Sequence, residues 1–346
     1  MHKLINIVSW LMLSLALSLC CASCGSKSEG CSDIHEKSRD NIVEAQPTSI
    51  EDSLPMFHVY ANIYLVGDTL IIEDYKSTDK MFYAYDLVRN KGLGWFGKVG
   101  QGPGELTNFG SVYINPNKKQ LAGFDLGTMD VKAFQIDSAL TDSETLAQTI
   151  VKYDGAANGF LLSPHFVNDT SVLARAYVYD FDTYTGSNRI VRFNPVTGHY
   201  TAIGEANPLL EKSFSIAYSP EVKRVYLAGK GRDFIQLYDP EGNLIKTVYG
   251  PKFEEENPSD HIEYFGTCIT DSSGRLYVTY NGRDMMDGRA KDLLIYDKDG
   301  HYLKTIHFDV SHLWDLAYHE PSNRLYFSCD GEPQFGYINL SDYLDD

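Results

Sequence analysis

Polar and apolar residues alternate in short runs over most of the chain after residue 55, and turn residues separate the runs. A period of two is typical of β-strands that bury one side chain and expose the next. No stretch of this region keeps the spacing of a long amphipathic helix. The pattern therefore predicts an all-β domain.

One strand pattern occurs three times near the C-terminus, at residues 224–231, 275–282 and 324–331. Each copy begins with Arg, an apolar residue and Tyr, ends with Gly, and follows a shorter apolar strand and a turn. The copies start about 50 residues apart, which is close to the length of one four-stranded propeller blade. The repeat therefore predicts a β-propeller.

Tiling the chain with this repeat predicts six blades, at residues 60–100, 105–152, 158–204, 212–250, 264–308 and 311–340. The last blade is one strand short, and we expect residues 56–63 to complete it and close the ring. A seven-bladed ring would need only about 42 residues per blade, fewer than the repeat shows. The predicted domain is thus a six-bladed β-propeller of four-stranded antiparallel blades over residues 56–346.

The N-terminus has the features of an export signal. An apolar run at residues 4–19 follows Lys3 and is too short for a typical membrane span. The segment Ala22-Ser23-Cys24 resembles the bacterial lipobox, which implies lipidation of Cys24 and a lipid anchor in the cell envelope, in the outer membrane. Ordinary secretion with cleavage at the same small residues stays open. Residues 25–55 are polar and predict a flexible linker.

Charge and cysteine content narrow the possible partners. The net charge of −17 argues against nucleic acid, which needs basic patches. The cysteines after Cys24 include no Cys-x-x-Cys pair, so neither a zinc site nor a disulfide framework is indicated. We expect Cys268 and Cys329, which lie in apolar strands, to be buried thiols.

Residues 96–109 contain the sequence Gly-Gln-Gly-Pro-Gly-Glu, and strand-like segments follow at 112–116, 121–125 and 131–134. This region resembles an NHL-type repeat, in which a similar linker joins two blades. With the lipobox, the chain resembles six-bladed, TolB-like propeller lipoproteins. The resemblance implies a lipid-anchored propeller with a binding or scaffold role.

The same linker has a direct physical interpretation as a structural loop between blades. Gly100, Gly102 and Gly104 permit positive φ, and Pro103 fixes the chain between them. Glu105 is placed to accept hydrogen bonds from the backbone of the turn. A phosphate-binding role is the alternative, but no helix start and no Lys-Ser/Thr pair follow.

Propellers bind ligands at the mouth of the central channel, near their inner strands. The candidates at those positions are His58, Tyr113, His165, Tyr218, Tyr264, Asp271, His312, Trp314, Asp315 and Tyr318. We select His165, Asp271, His312, Trp314 and Asp315 as candidate ligand-binding residues. Residues 312–315 place an aromatic face beside an imidazole and a carboxylate, which suits sugar or metal binding, although a core role for Trp314 is the simpler interpretation.

Two loops carry weaker indications of function. Residues 180–186 are similar to a calcium loop with alternating carboxylates, but lack the full ligand series, so a solvated hairpin tip is favoured. The acidic insertion at 253–261 is longer than a tight connection and is interpreted as a solvated loop, with a functional loop as the alternative.

Three functions remain open from the sequence. The first is an envelope binding or scaffold module for a carbohydrate, a peptide or a protein, with no cofactor. The second is a propeller lyase or lactonase-type hydrolase with one axial divalent metal such as Ca²⁺, and the third is a structural subunit of an envelope complex. Convergence of Asp271, Asp315 and His165 on the axis would favour the enzyme, whereas a channel lined by apolar or tyrosine side chains would favour the binding module.

Overall fold

The computed structural model describes residues 32–50, 54–153, 161–180, 185–205, 207–210, 212–255 and 261–344. The predicted signal peptide, the predicted lipidation site Cys24, and Cys31 lie outside these residues. The elements are β1 (Ile34–His35), β2 (Ile42–Glu44), β3 (Thr48–Ser49), β4 (Asn62–Val66), β5 (Thr69–Glu73), β6 (Lys80–Asp86), β7 (Lys91–Lys98), β8 (Phe109–Asn115), β9 (Gln120–Asp125), β10 (Asp130–Gln135), α1 (Ile136–Thr141), β11 (Gln148–Lys152), β12 (Leu161–Asn168), β13 (Ser171–Asp180), β14 (Thr185–Phe193), β15 (Tyr200–Ala202), β16 (Phe214–Ser219), β17 (Arg224–Gly229), β18 (Phe234–Tyr238), β19 (Leu244–Tyr249), β20 (Ile262–Thr270), β21 (Leu276–Asp284), β22 (Asp292–Tyr296), β23 (Tyr302–His307), β24 (Leu313–His319), β25 (Arg324–Cys329) and β26 (Phe335–Asn339).

These strands form six sheets, each built on four antiparallel strands, which confirms the predicted six-bladed propeller. Blades I to V are β4–β7, β8–β11, β12–β15, β16–β19 and β20–β23, each running from its inner strand to its outer strand. Blade VI consists of β24, β25, β26 and β3. We call the face at which the inner strands begin the upper face. In the part of the chain that the structure describes, no helix has the length and apolarity needed to cross a bilayer.

The hydrophobic core lies in the seams between consecutive blades. Leu237 of blade IV packs with Phe265 and Leu294 of blade V in one buried cluster. In the seam between blades II and III, the rings of Phe124 and Phe193 meet edge to face, with centroids 5.1 Å apart. Each sheet therefore buries both faces, and burial of aromatic area stabilises the ring.

Ring closure differs from the prediction. The fourth strand of blade VI is β3, which pairs with β26 at Gly336 and Tyr337. The expected strand at residues 56–63 does not fill this place: Phe57 and Ala61 are buried in the core between blades VI and I, and the chain then enters β4. A two-residue strand such as β3 is too short to show a period of two, so no pattern in the sequence indicated it.

Residues 33–50, which we call the belt, run along the outside of three blades. Strand β1 pairs in parallel with β19, β2 pairs in parallel with β23, and β3 completes blade VI. This corrects the flexible-linker prediction for residues 33–50, while residues 25–31 and 51–53 lie outside the described chain. Polar side chains add to the pairing, since the carboxylate of Asp33 accepts the Thr247 amide at 2.9 Å.

Arg39 fastens the belt to the seam between blades IV and V. Its guanidinium donates to Glu36 at 2.8 Å and to Asp233 at 2.9 Å. The side chain of Arg39 is 8% exposed and that of Asp233 is fully buried. The guanidinium carbon also lies 4.9 Å from the centre of the Tyr280 ring in blade V. A charged pair and a cation–π contact thus hold the belt in a desolvated site.

The glycine-rich loop joins β7 of blade I to β8 of blade II. The carboxylate of Glu105 accepts the Gly102 amide at 2.8 Å and pairs with Lys98 at 2.8 Å. A side chain at Gly100 would place its Cβ 2.1 Å from this carboxylate, and Gly104 has a φ of +78°. The loop therefore requires glycine at Gly104, whereas Gly100 and Gly102 do not have the positive φ that the sequence suggested, and a Cβ added at either would meet only the Glu105 side chain. Pro103 lies between Gly102 and Gly104 as the sequence shows.

We predict that Arg39→Met lowers the free energy of unfolding by about 3 kcal/mol, because it leaves the buried Asp233 carboxylate without its cation. Urea unfolding followed by tryptophan fluorescence measures this change. Lys37→Met, which removes an exposed charge from the same belt, is the matched control. Equal stability of the two variants would show that the ion pair does not fasten the belt.

Candidate ligand-binding channel

A channel of about 830 Å³ runs along the axis, and the inner strands of all six blades line it. Most of its polar wall residues carry a hydroxyl group. The polar side chains on the wall include Asn62, Tyr64, Ser111, Tyr113, Ser163, His165, Ser215, Tyr218, Thr267, Thr270, Asp315 and Tyr318.

Four inner strands are bulged near the upper face. The pairing with the second strand shifts between Gly110 and Tyr113 in blade II, and between Leu162 and His165 in blade III. Similar shifts occur in β20 and β24. The bulged residues Ser111 and Ser163 have φ values of +49° and +48°. A bulge redirects side chains, and here it accompanies serines on the channel wall.

Wall side chains also join neighbouring blades. The hydroxyl of Ser111 in blade II donates to the carbonyl of Leu161 in blade III at 2.7 Å. The hydroxyl of Thr267 in blade V donates to the carbonyl of Trp314 in blade VI at 3.0 Å. These bonds link neighbouring blades through backbone carbonyls, so the polar wall is also part of the ring's framework.

His165 is a neutral wall residue. Its Nε2 lies 2.7 Å from the carbonyl oxygen of Ile216 in blade IV, and since a carbonyl only accepts, Nε2 carries the hydrogen. Burial lowers the pKa of His165 to about 4, although the bond to Ile216 opposes this shift. The imidazole is therefore uncharged at neutral pH, and its Nδ1 has a lone pair to accept a hydrogen bond.

Asp315 lies on the wall where blades VI and I meet. Its carboxylate oxygens accept the Ile63 amide of blade I and the Leu316 amide, both at 2.9 Å. Burial raises the pKa of Asp315 to about 7, the two backbone bonds oppose this, and the charge of Glu73 adds to it. The group therefore changes charge near neutral pH.

Glu73 is a buried carboxylate beside Asp315. Its Oε2 accepts the Tyr64 hydroxyl at 2.6 Å and the Asn62 amide at 2.9 Å. Burial raises the pKa of Glu73, while the bonds from Tyr64 and Asn62 lower it. The seam between blades VI and I thus holds two carboxyl groups whose ionisation is disfavoured.

His312 and Trp314 form an aromatic cluster with Tyr60 at the upper end of β24. The Trp314 indole donates to the Asn62 side chain at 3.0 Å, and its ring centre lies 4.7 Å from that of Tyr60. The buried Nδ1 of His312 has no partner among the described residues. Tyr60 has a φ of +66°, a strained conformation for an aromatic residue.

Asp271 follows β20 and therefore lies at the opposite end of the inner strands from Asp315. Its carboxylate accepts the Tyr277 hydroxyl at 2.9 Å, the Ser273 hydroxyl at 2.7 Å and the Arg275 amide at 2.9 Å. These bonds organise the turn between β20 and β21. The structure thus brings His165 and Asp315 to the channel and leaves Asp271 outside it.

The metal-dependent enzyme hypothesis needs His165, Asp271 and Asp315 to converge on the axis, and these three residues do not come together. Within the described ranges, no three side chains of His, Cys, Asp or Glu come together in a way that would hold a metal ion. Asp271 is engaged in its turn, and His165 uses Nε2 on a backbone carbonyl. No reaction step through an axial metal follows from these residues.

The remaining expectations have different outcomes. Cys268 and Cys329 are buried, as predicted. Burial raises the pKa of Cys268, which lies on the channel wall, to about 12. The calcium-like loop and the acidic insertion fall largely on residues 181–184 and 256–260, which lie outside the described residues. Their roles stay predictions.

Two cationic residues near the upper mouth were missed by the sequence analysis. Lys230, in the turn between β17 and β18, lies on the channel wall. Arg175 of β13 lies close enough to Lys230 to lower its pKa. In the sequence Lys230 stands between two glycines, and Arg175 stands between two alanines inside a strand. The two alanines beside Arg175 were the feature of the sequence that could have indicated its partial burial, since small buried neighbours are unusual around a solvated arginine.

We predict a stability change near neutral pH from Asp315. Its pKa in the folded protein is about 7, above the ordinary value of 3.8, so the unfolded chain ionises first. The free energy of unfolding therefore falls by roughly 3 kcal/mol as the pH rises from about 4 to about 7, and then levels off. Urea unfolding across this pH range measures the slope, and Asp315→Asn should lack this component.

Glu105 provides a control of opposite sign. The pKa of Glu105 is lowered by Lys98 and by the Gly102 amide, so its stabilising contribution is lost as the pH falls through the folded pKa. In the parent protein, the Glu105 contribution to the free energy of unfolding falls as the pH is lowered, whereas the Asp315 contribution falls as the pH is raised. Glu105→Gln should therefore remove the change at the lower pH. An Asp315→Asn variant with the same pH profile as the parent protein would contradict the assignment.

Similarities to known proteins agree with the architecture. No protein-family model and no curated protein sequence matches the chain. A calcium-binding regucalcin from Agrobacterium tumefaciens superposes with a TM-score of 0.55 at 10% identity, covering 86% of this chain and 94% of that one.

Two further solved structures are similar. A gluconolactonase from Xanthomonas campestris has a TM-score of 0.55 at 12% identity, covering 91% of this chain and 99% of that one. A luciferin-regenerating enzyme has a TM-score of 0.54 at 12% identity, covering 85% and 94%. At these identities the similarities show the six-bladed propeller fold alone, and the resemblance to NHL-type and TolB-like propellers stays a prediction.

Proposed function

We propose that the protein is a cell-envelope lipoprotein, anchored through Cys24 in the outer membrane, whose propeller binds a small polyhydroxylated ligand such as a carbohydrate in its axial channel. The observation that carries the binding role is the channel of about 830 Å³ with a wall of tyrosine, serine and threonine hydroxyls. The anchor rests on the lipobox-like residues 22–24.

The size and chemistry of the channel support a small ligand. Sites for small molecules commonly have volumes of about 300–1,000 Å³ and a few placed polar groups. Hydroxyl groups both donate and accept, so a wall rich in them complements a ligand that is itself rich in hydroxyls. The Tyr60 and Trp314 rings at the upper mouth add an aromatic surface of the kind that packs on a sugar face.

We predict that Ser215→Trp abolishes ligand binding, because the indole fills a channel whose wall includes Ser215. A panel of mono- and oligosaccharides is tested by thermal shift and isothermal titration calorimetry. Thr197→Trp, which adds the same bulk to an exposed turn, should bind as the parent protein does. Circular dichroism and urea unfolding establish that both variants are folded. Equal binding by folded Ser215→Trp would place the ligand outside the channel.

A lactonase-type hydrolase is the second candidate, and Asp315 is the observation that favours it. A carboxyl group with a pKa of about 7 on a channel wall suits general base catalysis at neutral pH. In such a reaction Asp315 removes a proton from water, and the water oxygen bonds to the lactone carbonyl carbon. The ring carbon–oxygen bond then breaks, and the leaving ring oxygen takes the proton back from Asp315, so that a hydroxy acid is released and the carboxylate is restored. The fold shared with a gluconolactonase supports testing this substrate class.

We predict for this candidate that Asp315→Asn lowers the rate of δ-lactone hydrolysis at least 100-fold, since an amide cannot act as the base. The rate is followed by acid release at pH 7.5, with the buffer-catalysed rate subtracted. Glu105→Gln, which alters a carboxylate in the loop between blades, should keep the parent rate. A parent rate equal to that of buffer alone would eliminate the hydrolase and leave the binding role standing.

A further inference from the structure

Two cationic side chains near the upper mouth form no ion pair with any carboxylate of the described residues. Arg175 of blade III donates through one terminal nitrogen to the Ser213 hydroxyl and to the Asn188 carbonyl oxygen, the latter at 3.3 Å. Its Nε is buried and has no partner among the described residues. Both hydrogen-bonding partners are neutral, and the remaining contact is with the Phe214 ring, whose centre lies 5.9 Å from the guanidinium carbon. No carboxylate among the described residues forms an ion pair with Arg175.

Lys230 of blade IV is the second cation. Backbone bonds hold its main chain: its amide donates to the Ser213 carbonyl and its carbonyl accepts the Tyr264 amide, both at 2.9 Å. Its side chain lies on the channel wall, and in the described part of the chain its ammonium group forms no ion pair. Glu263 is the carboxylate whose charge acts on Lys230, but it does not reach ion-pair distance.

Partial burial makes both positive charges costly when no anion is beside them. Burial lowers the pKa of Lys230, and the nearby Arg175 lowers it further. Burial also lowers the pKa of Arg175. A desolvated cation without an anion destabilises a fold, and this chain, with 47 acidic residues against 30 basic ones, has ample carboxylates to supply one. The arrangement therefore fits a site whose anion comes with the ligand.

The cations lie on one half of the channel and the carboxyl groups on the other. Consecutive blades are neighbours around the ring, so blades III and IV lie opposite blades VI and I. Arg175 and Lys230 belong to the first pair of blades, and Asp315 and Glu73 to the second. A ligand with an anionic group would be oriented by this polarity.

We propose that Lys230 and Arg175 form an anion subsite at the upper channel, between blades III and IV, which binds the anionic group of the channel ligand. This inference rests on the proposed binding function and makes the ligand acidic. Carboxylate and phosphate share the chemistry that the two cations recognise. A sugar acid and a sugar phosphate are thus the two ligand classes, and the experiment separates them.

The test uses the folded protein without its signal peptide, in chloride buffer of constant ionic strength, with acetate or inorganic phosphate replacing part of the chloride. Thermal unfolding should show that the probe raises the melting temperature of the parent protein, since it binds only the folded state. A larger response to acetate indicates a carboxylate ligand, and a larger response to phosphate indicates a phosphate ligand.

Lys230→Met is the diagnostic variant. Because it removes a half-buried charge that forms no ion pair among the described residues, it should melt at a higher temperature than the parent protein in chloride, and its response to either probe should weaken at least tenfold. Arg175→Met should weaken the response in the same way, which keeps the test decisive if one variant does not fold. Lys91→Met, which removes an exposed charge from the outer strand of blade I, should behave as the parent protein does.

Other outcomes overturn the proposal. A Lys230→Met variant that melts at a lower temperature and keeps the parent's response to both probes would make Lys230 a structural residue. The experiment distinguishes failure of the anion subsite from failure of the proposed binding function. If the anion subsite is incorrect, neutral sugars still bind to the parent protein and to Lys230→Met alike. If the binding function is incorrect, no sugar, neutral or acidic, protects the parent protein, whatever acetate and phosphate do.

Discussion

The packing of blade VI against blade I is the contact on which the whole ring depends. A sheet with two apolar faces needs a neighbour on each side, so the ring is complete only when its last face meets its first. Here Ala317 and Phe335 pack with Ile63 and Ile72 in one buried cluster. The Asp315 carboxylate adds a bond to the Ile63 amide at the inner edge. Since Asp315 also lies on the channel wall, closure of the fold and the chemistry of the channel share one side chain.

The sequence contained enough information for the fold because each blade needs the same alternation of buried and exposed residues. The repeat at residues 224–231, 275–282 and 324–331 corresponds to β17, β21 and β25, the second strands of three successive blades. The belt carried no such information. Its strands are two or three residues long, and they are held by backbone pairing and by single polar contacts such as that of Arg39, which no local pattern encodes.

The candidate site was predictable only in part. His165 and Asp315 could be placed near the channel because the blade repeat located the inner strands. Asp271 was placed there for the same reason, but a strand has two ends, and this residue turns into the hairpin at the lower one. Lys230 and Arg175 escaped notice because a cation in a turn or strand is usually solvated. Their burial arises from the approach of blade III to blade IV, which depends on contacts distant in sequence.

The belt also determines how the propeller would respond to mechanical load. A pull on the chain ahead of Asp33 first reaches β1, whose two residues pair with the edge of blade IV, and then the buried ion pair of Arg39. Strand β2 would follow, and β3, which closes the ring, would be the last of the three to carry tension. The ring and its channel would thus keep their shape while β1 and β2 detach in turn, so that residues 33–44 would yield to the pull before the channel does.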